Sequence, residues 1–311
     1  MPAMDEAARQ RELDGQHLVD SLPEAAYDDI VTLAALICDA PIALVTLIDR
    51  DRQWFKASTG LDDAGSRRDE AFCNHAIAKP DQMMEVPDAH DDARFTGNRL
   101  VTGPLGIRYY AGMPLVSPNG AAFGTVCVLD RQPRFLDAPQ KEGLAALARL
   151  TMTLFEARHW RLRAEREALL AAALVAPAAV AATGISESPF TVVLVELMDA
   201  AGAASRLGMR ELERTLQRLV DALQARLAPG DSVDRVSGSH ELIAVLHGAE
   251  TSAASRALTD AVSEFERETG LHVLLAESPA VSSQEPVMAV YLRAEIMLSN
   301  AKNDHITGLS A

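Results

Sequence analysis

The sequence predicts an α+β protein of two domains: an antiparallel sheet flanked by helices, a connecting helix, and a second domain built on a central sheet. Its 311 residues suffice for two ordinary domains, and 48% hydrophobic with 23% charged residues is typical of a globular chain. Apolar runs in the first half form hairpin-like pairs between helices. The second half instead alternates single strands with helices, which predicts an α+β or α/β domain.

In the first half, Ile30, Leu33 and Ile37 recur at helical spacing and predict a helix over 23–38, after a short charged helix over 5–14. Apolar strings and turn residues predict the strands, which are 41–49, 52–58, MMEVPDA, and the hairpin of YYAGMPLVSPNG with AAFGTVCVLD. A short helix is expected after Arg68. A long helix over 139–173 closes this half.

In the second half, small and turn-forming residues from Pro177 to Pro189 predict a linker. The predicted elements after it are strands over 191–197, 242–248 and LHVLLAES, and helices over 211–227, 251–270 and 287–303.

Charge and composition exclude several classes of function. A formal net charge of −15 argues against binding to nucleic acid or to an anionic membrane, because phosphates attract a basic surface. No apolar run is long enough to span a bilayer, and the first residues lack the apolar core of a secretory signal, so we expect a cytoplasmic protein. Three cysteines without CxxC spacing predict neither a disulfide framework nor structural zinc. We expect no metal and no cofactor.

Five strings of the first half carry a family resemblance: PIALVTLIDRDRQWFKASTGL, FCNHAI, VPDAHDDARFTGNRLV, IRYYAGMPL and GTVCVLDRQPR. They resemble the GAF sensor domains that precede bacterial signalling enzymes. The resemblance covers 20–158 and leaves 1–19 as a helical extension and 159–187 as a signalling helix and linker. It implies an antiparallel sheet with a small-molecule pocket beneath a long loop.

The long loop over 88–110 supplies most of the candidate ligand-binding residues of this pocket. They are Asp88, Arg94, Asn98, Arg108 and Tyr109. A structural alternative is that Arg94 and Arg108 pair with Asp88 or Asp91 to hold the loop shut. Trp54 and Phe55 are further candidates, which can either pack in the core or stack on a ligand.

Cys73 and His75 lie two residues apart in FCNHAI at the start of a predicted helix. A thiol near an imidazole can have a lowered pKa and react with oxidants or a bilin. However, this spacing does not place both side chains on one helical face. The alternatives are a buried structural thiol, a redox sensor, and an attachment point for a chromophore or haem.

The second half, 188–311, resembles a GGDEF domain, the module that makes cyclic di-GMP from two GTP molecules. The matching residues are Gly208, Pro229-Gly230-Asp231 with Arg235, and Ala301-Lys302. The resemblance implies two Mg²⁺-binding carboxylates near a Gly-Gly turn and a separate inhibitory product site.

The residues that this resemblance requires for catalysis are largely replaced. The signature reads Ser237-Gly238-Ser239-His240-Glu241-Leu242, so either Ser239 and His240 or His240 and Glu241 occupy the acid positions. Under both alignments an acid and a glycine are missing. Glu196 takes the other metal position, and Ala204 and Glu213 take the guanine-holding ones. Lys302 is the only lysine after Lys141, and Ala228 replaces the inhibitory-site arginine three residues before Asp231.

An incomplete heptad-like stripe follows the connecting helix and consists of Leu144, Leu147, Leu154, Leu162 and Leu169. Beyond Trp160 no sheet is expected to cover it, which predicts a homodimer. A helix packed on its own domain is the alternative.

The sequence therefore predicts a non-catalytic signalling protein that senses a small ligand or redox signal and acts on a partner protein. A weak diguanylate cyclase, a GTP or cyclic di-GMP receptor, and a GAF-based thiol reductase are the alternatives.

Overall fold

A computed structural model describes residues 5–180, 189–248 and 251–308. The chain divides into two compact units, one ending at His159 and the other beginning at Trp160. Most of the predicted linker, 181–188, lies outside the described residues. Its first residues, from Pro177 to Val180, belong to the preceding helix instead, where neighbouring alanines favour helix.

The first unit is a six-stranded sheet with helices. In chain order its elements are α1 (Glu6–Asp14), α2 (Ala25–Cys38), β1 (Ile42–Ile48), β2 (Arg52–Thr59), β3 (Gly65–Arg67), a 3₁₀ turn (Arg68–Glu70), α3 (Phe72–Ala76), β4 (Met84–Val86), α4 (Arg99–Thr102), β5 (Tyr109–Val116), β6 (Ala122–Asp130) and the first part of α5 (Ala138–Val180). The strands lie in the order β3-β2-β1-β6-β5-β4, and neighbours are antiparallel. This confirms the predicted antiparallel sheet.

The sheet of the first unit is covered on both faces. Helix α2 packs against β1, β2 and β6, and α3 packs against β1, β5 and β6. Strand β1 is accordingly buried along its whole length, which explains why its sequence, IALVTLI, is almost continuously apolar.

Gly124 allows the two central strands to pair. A Cβ atom at this position of β6 would lie 1.8 Å from the carbonyl oxygen of Thr46 in β1. Only glycine permits this approach, so Thr46 and Leu47 can lie directly against β6 in the middle of the sheet.

The second unit contains the rest of α5 and a four-stranded sheet. Its other elements are β7 (Phe190–Leu197), α6 (Ala200–Leu207), α7 (Met209–Gln224), β8 (Ser232–Arg235), β9 (Glu241–His247), α8 (Thr251–Thr269), β10 (Val273–Pro279) and α9 (Val287–Gly308). The strand order is β10-β7-β9-β8, and every pair is antiparallel, so the unit is α+β rather than parallel α/β.

Two elements of this unit were missed by the sequence prediction, α6 and β8. The sequence of α6, AAGAASRL, consists mainly of small residues and has little apolar stripe. Strand β8 has only four residues, SVDR, of which three are polar. Such short polar strands carry almost no periodic signal.

The expectation that no sheet covers the leucine stripe beyond Trp160 is wrong. Leu162 and Leu170 are fully buried in the core of the second unit, where β7, β9 and α9 contribute the other side chains. Leu169 packs at the edge of the same core. Packing within the chain therefore explains the stripe. The stripe no longer supports the predicted homodimer. None of the helices in the described parts of the chain combines the length and apolarity needed to cross a bilayer.

We predict that Leu170→Ala destabilises the second unit by about 2–5 kcal/mol, because it removes a fully buried side chain and leaves a cavity. Hydrogen exchange of the β7 and β9 amides in the full chain would measure this loss. The control is Leu150→Ala, since Leu150 is 47% exposed on the same helix. We expect it to change stability by no more than about 0.5 kcal/mol. Equal protection in the Leu170→Ala and wild-type proteins would contradict the assignment of this leucine to the core.

Candidate functional site

The first unit encloses a cavity of about 290 Å³ between the sheet and the segments that cover it. The lining is mostly apolar by surface area, and its apolar side chains are Leu44, Phe55, Leu61, Phe72, Leu100, Leu105, Ile107 and Leu129. The polar or thiol-bearing lining residues are Gln53, Asp63, Ser66, Glu70, Cys73, Arg99, Tyr110 and Cys127. A mostly apolar cavity with a few polar groups is the usual form of a small-molecule site.

An aromatic stack fixes the wall formed by α3. The ring of Phe72 lies 4.2 Å from that of Phe95 and 5.2 Å from that of Tyr110, measured between centroids. Asn98 joins the covering segment to this wall, since its amide donates to the carbonyl oxygen of Glu70 at 2.8 Å. Its side-chain oxygen also caps α4 by accepting from the Leu100 amide. These contacts tie the covering segment to the wall formed by α3.

Cys73 lies at the centre of a cluster of hydrogen-bond donors. Its Sγ accepts from Gln53 Nε2 at 3.0 Å, from Thr125 Oγ1 at 3.1 Å and from the Tyr110 hydroxyl at 3.4 Å. The Sγ of Cys127 is 3.7 Å away. Gly112 makes room for this arrangement, because a Cβ atom there would lie 2.0 Å from the Tyr110 hydroxyl oxygen.

The donors around Cys73 favour its thiolate. Burial alone raises the pKa of a thiol, but hydrogen bonds from Cys127, Thr125 and Tyr110 outweigh burial and lower the pKa of Cys73 below its ordinary value. For Cys127, burial and the neighbouring Cys73 raise the pKa well above its ordinary value. Of the two sulfurs, Cys73 is therefore the one whose surroundings favour a nucleophilic thiolate.

Three charged side chains are among the lining residues of the cavity. Asp63 and Glu70 contribute two carboxylates, and Arg99 contributes one guanidinium, which lies 3.4 Å from a Glu70 oxygen. The Arg99 side chain is 81% exposed, so the part of the lining near Arg99 is the mouth of the cavity. Because the acids outnumber the arginine, a cation is favoured over an anion at the mouth.

Of the sequence-predicted pocket residues, Phe55 and Cys73 line the cavity. Trp54 does not, because side chains alternate along β2 and Trp54 is buried on the other side. There it lies near Lys56, whose ammonium is 5.9 Å from the Trp54 ring centroid and 2.9 Å from a Glu24 oxygen.

Four predicted loop residues form structural contacts outside the cavity instead. Arg108 forms a bidentate pair with Asp88, whose pKa it lowers to about 2 through its hydrogen bonds. Arg94 pairs with Asp92. The structural alternative, in which the arginines hold the loop shut, predicts Asp88 or Asp91 as its partner instead. The Tyr109 hydroxyl donates to Glu85 at 3.0 Å. These contacts stabilise the loop.

His75 and Asn98 are also absent from the cavity lining. The His75 ring is exposed and meets Phe95 edge-on at 4.9 Å, whereas Cys73 is buried. The structure therefore does not bring Cys73 and His75 together. The partners that the sequence prediction missed are Gln53, Tyr110, Thr125 and Cys127, which come from three different strands. The sequence contained a signal for Gln53 alone. It lies two residues before Phe55 in β2, so the two side chains are expected on the same face of the strand.

In the second unit, two buried glutamates lie opposite each other on neighbouring strands, Glu196 in β7 and Glu241 in β9. Glu196 accepts from Lys302 Nζ at 2.7 Å and contacts His240 Nε2 at 3.0 Å. Glu241 accepts from Arg166 at 2.6 and 3.0 Å and from the Tyr291 hydroxyl at 3.0 Å.

Each buried carboxylate is thus paired with a cation from a helix. Burial alone raises the pKa of a carboxyl group, but Lys302 and His240 outweigh it and lower the pKa of Glu196 well below its ordinary value. Burial and the charge of Glu241 raise the pKa of Tyr291, which stays a hydrogen-bond donor. Both acids are therefore held in buried ion pairs.

The other residues singled out in this half have structural contacts as well. Glu213 forms a bidentate pair with Arg235 at 2.6 and 3.0 Å. Ser239 Oγ accepts from the Glu241 amide, and Asp231 accepts from the His247 amide. Gly208 and Gly238 occupy turns with positive φ, Ala204 is buried in α6, and Ala228 is exposed.

The family model described as "GAF domain" matches residues 22–154. This part of the chain is a GAF domain. The chain is also similar to a cyclic di-GMP phosphodiesterase of Pseudomonas aeruginosa, with 40% identity over 130 residues, which are 42% of this chain and 22% of that protein. The aligned part is thus less than a quarter of the relative's length.

Two solved structures show weaker similarity. One, of a microbial GGDEF domain that interacts with cyclic di-GMP, has 26% identity and a TM-score of 0.36, and the match covers 42% of this chain and 83% of that one. The other is the GAF domain of an Acinetobacter phosphoenolpyruvate-protein phosphotransferase, with 16% identity and a TM-score of 0.37, covering 50% of this chain and 96% of that one.

We predict that the GAF cavity prefers cationic ring compounds. A cavity of about 150 Å³ is enough for benzene, so monosubstituted benzenes are suitable probes. We expect benzamidine to bind at least about tenfold more tightly than benzoate, with benzyl alcohol in between, because Asp63 and Glu70 outnumber Arg99. Isothermal titration of each compound into the full chain measures the order.

The matched variants remove one carboxylate each. Glu70→Gln should reduce the preference for benzamidine, whereas Glu142→Gln should not, since Glu142 lies on an exposed surface of α5. Tighter binding of benzoate than of benzamidine would show that Arg99, and not the acids, dominates the mouth.

Proposed function

We propose that this chain is a bacterial signal-transduction protein in which the GAF domain senses a small ligand or redox signal. In this proposal the second unit is a degenerate GGDEF-like domain that serves as an output, dimerisation or partner-docking module without catalytic activity. One observation carries the second part: both buried acids, Glu196 and Glu241, are already paired with cations.

Synthesis of cyclic di-GMP requires carboxylates that can hold Mg²⁺ on the GTP phosphates. In this unit, the carboxylates of Glu196 and Glu241 are instead bound by Lys302 and Arg166. A metal would have to displace both cations and leave their charges without partners in a buried site, at a cost of several kcal/mol. The pairing therefore supports a loss of activity.

The groups expected to hold guanine and phosphate are also missing or engaged. Ala204 has only a methyl group where the resemblance implies an asparagine, and Glu213 is paired with Arg235. Lys302, the only lysine of this half, contacts Glu196. A nucleotide would find few free polar partners.

The similarity to a cyclic di-GMP phosphodiesterase supports a place in cyclic di-GMP signalling. The phosphodiesterase activity is named for that protein, of which the aligned residues form 22%. We therefore propose the signalling context for this chain. We do not propose the phosphodiesterase reaction for it.

Homodimerisation stays part of the proposal on different grounds. Helices α2 and α5 pack together in the first unit, with Tyr27 and Phe155 at 5.3 Å, and both expose apolar side chains, Leu36 by 71% and Leu150 by 47%. Exposed apolar side chains on adjacent helices can pair with a second copy. The free thiols of Cys38, Cys73 and Cys127 support the proposed cytoplasmic location, where thiols stay reduced.

We predict that the purified chain neither binds GTP nor forms cyclic di-GMP with Mg²⁺ or Mn²⁺. Isothermal titration measures binding, and chromatography of an overnight incubation measures product, with an active diguanylate cyclase as positive control. Product formation would overturn the non-catalytic assignment. Binding of GTP or cyclic di-GMP without turnover would instead favour the receptor alternative.

We also predict that Glu196→Gln destabilises the second unit by about 3 kcal/mol at pH 7, because it leaves Lys302 and His240 without their carboxylate. The pKa of Glu196 is lowered in the folded state, so its contribution is present above the unfolded pKa of about 4.3 and is lost as the pH falls further. The difference between variant and wild type should therefore narrow by about 1.4 kcal/mol for each pH unit below about 4.

Hydrogen exchange of the β7 amides at several pH values measures this difference. Glu264→Gln is the control, because Glu264 is 51% exposed in an ion pair with Arg226. It should change stability by no more than about 0.5 kcal/mol. A destabilisation by Glu196→Gln that stays constant down to pH 3 would contradict an ionised Glu196 in the folded unit.

A further inference from the structure

Two free cysteines line the GAF cavity together, and their sulfurs are in van der Waals contact. Cys73 lies in α3 and Cys127 in β6, with 3.7 Å between the Sγ atoms. Their solvent-exposed fractions are 2% and 0%, so the cavity is the route by which a reagent reaches them. Cys38, the third cysteine, is buried elsewhere and is not among the lining residues.

The surroundings of Cys73 are those of a thiolate. Gln53, Thr125 and Tyr110 all donate to its sulfur, more donors than a neutral thiol, a weak acceptor, is expected to attract. Ser66 donates to Gln53 Oε1 at 3.0 Å, which directs the amide nitrogen of Gln53 towards the sulfur. A packed structural thiol would need none of these contacts.

We propose that Cys73 and Cys127 form a peroxide-reactive dithiol that is converted to an intramolecular disulfide by small organic hydroperoxides entering the cavity. This inference rests on the proposed sensing role of the cavity and specifies its signal. An apolar lining with a nucleophilic sulfur at its base fits a hydroperoxide with a hydrocarbon group, which the leucine and phenylalanine side chains would hold.

The reaction proceeds in two balanced steps. The Cys73 thiolate attacks the terminal peroxide oxygen, the O–O bond breaks, and the products are Cys73 sulfenic acid and an alkoxide that takes a proton from water. The Cys127 sulfur then attacks the Cys73 sulfur, an S–S bond forms, and hydroxide leaves with the Cys127 proton as water. In sum, two thiols are oxidised and one hydroperoxide is reduced to an alcohol and water.

Formation of the disulfide requires a local rearrangement. An S–S bond is about 2.05 Å long, so the sulfurs must approach each other by about 1.7 Å from their present separation. This movement breaks the contacts of Cys73 with Gln53, Thr125 and Tyr110. Oxidation should therefore loosen α3 against the sheet and so alter the wall of the cavity.

The test treats the reduced full chain with cumene hydroperoxide, blocks the remaining thiols with N-ethylmaleimide, and maps the products by mass spectrometry without reductant. We expect one cross-link between the peptides of Cys73 and Cys127, reversed by dithiothreitol, while Cys38 is alkylated. Cys38→Ser should give the same cross-link. Cys127→Ser should stop at a Cys73 sulfenic acid that dimedone traps, and Cys73→Ser should leave Cys127 reduced.

Persistence of all three thiols in the folded chain, under conditions that oxidise the urea-unfolded chain, would overturn the proposal. A cross-link to Cys38 would do the same. Since mapping of the wild-type chain is sufficient for either result, the test does not depend on the cysteine variants folding.

The ring-compound titrations separate this inference from the proposed sensing role. If benzamidine binds but Cys73 and Cys127 stay reduced, the dithiol fails and the ligand-sensing role stands. If the disulfide forms but no ring compound binds, the dithiol stands and the cavity is not a general ligand site. We expect both to occur, and saturating benzamidine should slow the oxidation of Cys73 at least about fivefold by occupying the cavity.

Discussion

The pairing of Glu196 with Glu241 across β7 and β9 is the constraint on which the second unit depends. Two carboxylates on directly opposite residues repel each other, and both are buried, so each needs a cation to offset the free-energy cost. Arg166 from α5 and Lys302 from α9 meet this need. The same two pairs therefore dock two helices on the sheet and neutralise both acids.

The same requirement, that a buried polar group must have partners, shapes the first unit with a different outcome. There the buried group is the sulfur of Cys73, and its partners are neutral donors from β2, β5 and β6. Neutral donors stabilise a thiolate but do not consume its charge, so the sulfur keeps its nucleophilic character. In this site the buried sulfur can be fully hydrogen-bonded and still reactive. A salt bridge would instead have neutralised its charge.

Much of the fold was predictable because its elements are periodic. Strands such as β1 and β6 are almost continuously apolar, and α2 repeats its apolar residues at helical spacing. The sites were less predictable, since they depend on contacts between distant segments. Sequence proximity suggested Cys73 with His75, but the fold pairs Cys73 with Cys127, 54 residues away. Likewise, the stripe ending in Leu162 and Leu169 has the same spacing whether a partner chain or its own sheet covers it.

The two units also differ in the charge that remains for a ligand. In the second unit, Glu196 and Glu241 are matched by Lys302 and Arg166, and Glu213 by Arg235, so an incoming nucleotide or metal must first break an existing pair. In the lining of the cavity, Glu70 is paired with the exposed Arg99 and Asp63 adds a further carboxylate, so a cation adds attraction without displacing a buried partner. The free energy of binding is the attraction of the new partner less the cost of breaking the interactions that it replaces. On that criterion the GAF cavity is the better candidate for binding a small molecule, and the proposed role of the second unit is one that leaves its buried pairs intact.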